Sequence, residues 1–138
     1  MRLALAALGC SLTVACAHDR PTPKQELAGW KQSHPEAAQE LCAWSRQHPK
    51  ASDQLLVWEG NNGPRALLLQ QWAVANPGYG WESFMALHQE WQDFAGIGSQ
   101  HPRAVNQMID WGRRHPQAAQ DLLEHQGAMR FAGKRNAC

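Results

Sequence analysis

Four tryptophans, Trp30, Trp44, Trp58 and Trp72, stand fourteen residues apart. Four positions after each come His34, His48, Asn62 and Asn76, followed by Pro35, Pro49, Gly63-Pro64 and Pro77. Leu27, Leu41, Leu55 and Leu69 keep the same register. The pattern then breaks and resumes at His101-Pro102, Met108, Trp111, His115-Pro116 and Leu122, with His125 in a tryptophan's place. A repeat at fixed spacing implies stacked copies of one structural unit. Proline has no backbone N–H and a φ already near the helical value, so it suits the first position of a helix. The residue before proline is pushed out of the helical region, so each histidine ends one helix and the proline begins another. The histidine is then expected to cap the new helix by accepting through a ring nitrogen.

The unit from His34 to Pro49 shows the resulting amphipathicity. Counting 100° per residue from Ala37, Leu41 falls at about 40°, Ala38 at about 100°, Cys42 at about 140° and Trp44 at about 340°. These form an apolar arc of roughly 160°. Glu36, Gln39, Glu40, Arg46 and Gln47 take the other side. Val and Ile are scarce while Ala, Leu, Gln and Glu are plentiful, which disfavours a sheet.

The expected fold is therefore all-α: a compact array of about seven short antiparallel helices built from a repeat of about 14 residues, Trp-x3-His-Pro. The helices are predicted near 23–33, 35–47, 49–59, 64–75, 80–94, 102–114 and 116–126. The helix at 64–75 is apolar around most of its circumference and should be the most buried. Irregular loops are expected at Glu59–Gly63, Asn76–Gly80 and Ala95–Gln100, and a basic frayed tail over 127–138. The repeat domain itself is assigned to 24–126. The unit is too short for a tetratricopeptide, ankyrin or HEAT repeat, and two units approach such a pair only in length.

The N-terminus carries a different signal. Met1-Arg2 precedes a mostly apolar run, Leu3 to Val14, too short for a permanent bilayer span. It ends in Leu12-Thr13-Val14-Ala15-Cys16. This resembles the signal of a bacterial lipoprotein, with small residues before the cysteine that receives diacylglycerol, although Leu12 lies four residues before Cys16 rather than three. The resemblance implies a signal peptide over 1–15, lipidation at Cys16 and a tether over 16–23. It places the chain at the bacterial cell envelope, anchored in the outer membrane facing the periplasm if the cell is Gram-negative. Cys10 is a competing site, and cleavage after Ala17 would yield a soluble secreted or periplasmic protein.

Candidate chemistry is sparse. Formal net charge is +1 with signs interspersed, which argues against a nucleic-acid partner. His34, His48, His101 and His115 lack metal-ligand spacing, so no metal and no cofactor is expected. His88, amid Trp81, Phe84, Met85 and Trp91, reads as a core histidine. Cys42 lies on the apolar arc and reads as a buried thiol, with a disulfide to Cys138 left open by the export signal. Tryptophans in register read as core. Tyr79 and Trp81, beside the glycines of Asn76–Trp81, depart from the repeat and are the candidate binding residues. Glu82-Ser83 loosely resembles the helix-borne catalytic glutamate and serine of lytic transglycosylases. The Gly-Leu-Met-Gln segment expected downstream is absent, and Ala95-Gly96-Ile97-Gly98-Ser99 stands there. The expected function is a non-catalytic, lipid-anchored scaffold that binds an envelope protein. The alternatives are a peptidoglycan-active enzyme using Glu82, or a ligand-binding module around Tyr79 and Trp81.

Overall fold

One residue separates most consecutive helices. A computed structural model describes residues 20–135 and Cys138. The signal peptide, Cys10, Cys16 and the start of the tether lie outside the described residues. Within them run α1 (Pro23–Ser33), α2 (Pro35–Gln47), α3 (Pro49–Asn61), α4 (Gly63–Ala75), α5 (Trp81–Leu87), α6 (Gln92–Gln100), α7 (Pro102–Arg114), α8 (Pro116–Leu123) and α9 (Gln126–Lys134). Nine helices thus replace the expected seven, and no strand occurs among the described residues. The four units α2, α3, α4 and α7 each contain 13 helical residues. Thirteen helical residues and one junction residue make the fourteen-residue period.

Each junction residue has nearly the same backbone. His34, His48, Asn62, Asn76, His101 and His115 lie at φ between −128° and −134° and ψ between 50° and 65°. The His34 N–H still donates to Trp30 O at 2.9 Å, and its carbonyl accepts from Ala38 N at 2.9 Å. His48 and His115 repeat both bonds, so a single residue closes one helix and opens the next. Among the described residues no histidine ring caps a helix N-terminus, contrary to the sequence expectation. The rings of His34, His48 and His115 turn back over Trp30, Trp44 and Trp111, with centroids 5.9, 6.1 and 6.0 Å apart. Where asparagine stands, the backbone bond slips one residue. The side chain then substitutes: Asn62 Nδ2 donates to Trp58 O and Asn76 Nδ2 to Trp72 O, both at 2.8 Å.

The tryptophans join two arms of the repeat. Trp30 Nε1 donates to Ala118 O at 2.8 Å, and Trp111 Nε1 to Ala37 O at 3.0 Å. His34 Nε2 meets Asp121 at 2.8 Å, and His115 Nε2 meets Glu40 at 3.0 Å. The α1–α2 pair and the α7–α8 pair thus exchange the same bonds, an internal pseudo-two-fold. Trp44 Nε1 adds Ala104 O at 3.0 Å, and His48 adds Gln107 at 2.8 Å. A buried indole needs an acceptor for its N–H. The small alanine at the third helical position of each opposing unit lets the ring reach the carbonyl.

The remaining differences from the sequence reading are corrections. The segment 80–94 is two helices, because His88 adopts the junction conformation (φ −132°, ψ 59°) without a following proline. Phe84 stacks on the His88 ring at 4.3 Å and, with Phe94, is fully buried on either side of that break. Residues 95–100 are helical because Gly98 receives the Trp81 ring, where a Cβ would lie 2.6 Å from ring carbons. The Glu59–Gly63 loop shrinks to Asn62 alone. The frayed tail is instead α9, which packs against α3 and α1 and buries Ala128, Met129, Ala132 and Gly133. Its return brings Cys138 to Cys42, which is a disulfide rather than a buried thiol (Cα–Cα 5.2 Å).

Candidate functional site

The sequence marks α4 as the most buried helix, and the structure contradicts this. Ala66, Leu69 and Ala73 face α7 and α8, but Leu68 is 43% exposed and Val74 48%. An apolar circumference makes a helix capable of burial on every side, but neighbours cover only one side here. The other exposed large hydrophobics among the described residues are Tyr79 (57%) and Leu87 (67%). All four fall between residues 68 and 87, on α4, the loop after it and α5. Tyr79 and Leu87 lie where the repeat has failed, and Leu68 and Val74 lie on the last unit before that break.

The loop is firmly held. Arg113 on α7 donates to Ala73 O at 2.8 Å, to Asn76 O at 2.9 Å and to Tyr79 O, and pairs with Asp110 at 2.8 Å. These carbonyls include ones left open at the end of α4. Gly78 takes φ +89°, which suits glycine. Asn106 Oδ1 accepts from Trp81 N at 2.9 Å. The backbone of Tyr79 is therefore fixed while its ring projects into solvent, beside a recess of about 220 Å³ lined by Gly78, Asn106, Asp110 and Arg113.

Tyr79 lines that recess and Trp81 does not. The Trp81 ring is half-buried against Gly98, and its Nε1 has no hydrogen-bond partner among the described residues. Glu82 is exposed in the first turn of α5. A glycosidase acid works from within a cleft that holds the substrate, whereas the Glu82 side chain is on an exposed helix turn. Among the described residues, no group of three or more His, Cys, Asp or Glu is placed to hold a metal ion. No helix there is long and apolar enough to cross a membrane.

Two acidic positions escape a reading of the sequence. Asp93 accepts from Trp58 Nε1 at 2.9 Å and from Arg65 at 2.8 and 3.1 Å. Those Arg65 bonds, with the Trp58 indole and the Phe94 amide, hold its carboxyl well below the usual carboxylate range. The Arg65 guanidinium also lies 4.5 Å from the Trp91 ring, so this cluster is internally satisfied and fastens α6 to α3 and α4. Glu59 is the opposite case. It is half-buried and lines a partly open cavity of about 30 Å³ with Leu55, Leu69, Phe94, Met108 and Trp111. Burial pushes its pKa up to about 8. The residues after Trp44, Trp72 and Trp111 are Ser45 on α2, Ala73 on α4 and Gly112 on α7, all buried. A glutamate in that register is the legible signal.

No family model matches this chain, and no curated protein and no solved structure shows significant similarity to it.

Proposed function

We propose that this chain is a non-catalytic, lipid-anchored helical-repeat protein of the bacterial cell envelope that docks a partner protein on the face formed by α4, the Asn76–Gly80 loop and α5. One observation carries the docking surface: the exposed large hydrophobics among the described residues all gather in 68–87, on the uncovered side of α4 and in the segment after it. An exposed aromatic on a backbone already ordered costs little further entropy when a partner covers it. Arg113 and Asn106 supply that order at Tyr79. Trp81 packs on Gly98 and does not line the recess beside Tyr79, and the exposed apolar side chains spread over α4, the loop and α5, which favours a protein over a small molecule. The Cys42–Cys138 bond agrees with an oxidising compartment outside the cytoplasm. The anchor itself rests on the leader ending at Cys16.

Two measurements test this reading. Acyl labelling of Cys16→Ser should disappear and the protein should leave the membrane fraction; unchanged labelling sinks the anchor at Cys16. A photo-crosslinking residue at position 79, in intact cells, should yield a discrete adduct whose partner is identified by mass spectrometry. Leu87→Ser with Val74→Ser should abolish that adduct with the melting temperature held. An adduct that survives the double substitution removes the docking surface.

A further inference from the structure

A second surface lies on the opposite use of the repeat, where α1 meets α9. Lys24, Leu27, Ala28 and Lys31 recur at helical spacing and form one stripe of α1. Phe131 and Arg135, four residues apart, face that stripe from the end of α9. Together with Cys138 they enclose a groove of about 420 Å³, within the size range of small-ligand sites. Its floor is apolar, with Leu27 buried and Phe131 half-buried. Its rim is cationic. Lys24 and Lys31 make no ion pair among the described residues, and Arg135 lies 5.7 Å from the Phe131 ring. Among the described residues, no aspartate or glutamate lines the groove. Glu26, the one acid on α1, turns instead toward His125 at 3.7 Å.

Cations that form no ion pair among the described residues, set around an apolar floor, match one ligand chemistry: an anionic headgroup joined to a hydrocarbon. We infer that this groove binds the phosphate of an anionic membrane phospholipid, with Lys24, Lys31 and Arg135 on the phosphate and the first methylenes over Leu27, Ala28 and Phe131. Partial burial lowers the Lys31 pKa, and a bound phosphate would offset that loss of hydration. The location suits a membrane source. Lys24 is eight residues beyond Cys16, a reach of at most roughly 30 Å even when fully extended. A chain anchored at Cys16 therefore keeps the groove within range of the bilayer surface. Only the orientation of the groove rests on the proposed anchor, and no residue of the α4–α5 face takes part.

The test uses the full chain carrying Cys16→Ser, so that no acyl group contributes. Co-sedimentation is measured with vesicles of phosphatidylcholine containing phosphatidylglycerol, and with phosphatidylcholine alone. The groove variant is Lys24→Gln, Lys31→Gln and Arg135→Gln; the charge-matched control is Arg46→Gln, Lys50→Gln and Arg103→Gln. The expected result is binding to the anionic vesicles that falls roughly tenfold or more in the groove variant and little in the control. Circular dichroism and the melting temperature of both variants establish that each is folded. If the groove variant unfolds, Lys24→Gln with Arg135→Gln, both exposed, is read in its place. Equal losses in the two triples would reduce the effect to net charge and overturn the site. So would equal binding to phosphatidylcholine alone. Saturable binding of soluble glycerol phosphate with no vesicle binding would assign the groove to a free anion and overturn the membrane source.

Discussion

Glu59 sets the behaviour of this fold toward alkali. Its carboxyl titrates near 4.5 in the unfolded chain and at about 8 in the folded one, raised by desolvation. Below 4.5 both states hold the proton and the residue carries no penalty. Between 4.5 and 8 the unfolded chain releases the proton while the folded chain keeps it, so stability falls as pH rises. Every tenfold difference in proton affinity between the two states is worth about 1.4 kcal/mol, so the total is several kcal/mol. Glu59→Gln should leave the melting temperature near wild type at pH 5 and raise it progressively above wild type toward pH 8. A difference that stays constant with pH would place the Glu59 carboxyl in water. The acid side is governed by other groups. The Arg114 and His115 bonds lower Glu40, and the His34 and Gln117 bonds lower Asp121. What these pairs contribute is present above the ordinary carboxylate range and lost as pH falls through the lowered values.

Helix contacts depend on glycines whose roles differ by position. Gly60 near the end of α3 lets α9 approach until Gln126 O and Arg130 N would lie 2.8 and 3.0 Å from a Cβ. Arg130 Nη1 completes the contact on Gly60 O at 2.8 Å. Two of those obstacles are backbone and cannot rotate away. Gly60→Ala should therefore destabilise the protein by about 1–3 kcal/mol, the usual range for overpacking. Amide exchange should quicken over 126–134 in particular. Gly29 on α1 is exposed, with nothing within 4 Å of a Cβ. Gly29→Ala should stabilise by roughly 0.5–1 kcal/mol, because alanine loses less entropy in a helix. Thermal melts of the two variants should move in opposite directions. The same close-approach logic explains Gly98 against Trp81, which the sequence presented as part of a loop.

At the scale of the molecule, two devices close the array. The reciprocal Trp–carbonyl and His–carboxylate bonds lock α1–α2 to α7–α8. The Cys42–Cys138 bond then ties the chain end to α2 across a sequence separation of 96. A loop of that length restricts the unfolded chain by roughly 4–5 kcal/mol on the chain-entropy account. Cys42→Ser with Cys138→Ser should lower the melting temperature by more than about 10 °C, since about 1 kcal/mol shifts a domain of this size by several degrees. The helical far-ultraviolet signal should persist below that transition. A melting temperature unchanged on removal of the bond would show that α9 stays docked without it.

The local part of this architecture was legible in the sequence because its causes are local. Proline at a helix start and the restriction it places on the residue before it act over two positions. These set the ends of α1, α2, α4, α7 and the start of α8 to within a residue or so. The leucines and tryptophans at helical spacing marked the inward faces in the same way. Tertiary packing decided the rest. α9 buries Ala128, Ala132 and Gly133, side chains too small to write a hydrophobic pattern. His88 breaks a helix with no proline beside it, because Phe84 and Phe94 are both taken into the core. Cys42 finds its partner only through the return of α9. The apolar circumference of α4 says that any side can be buried; which side stays open, and so where a partner can dock, depends on where α7 and α8 come to lie.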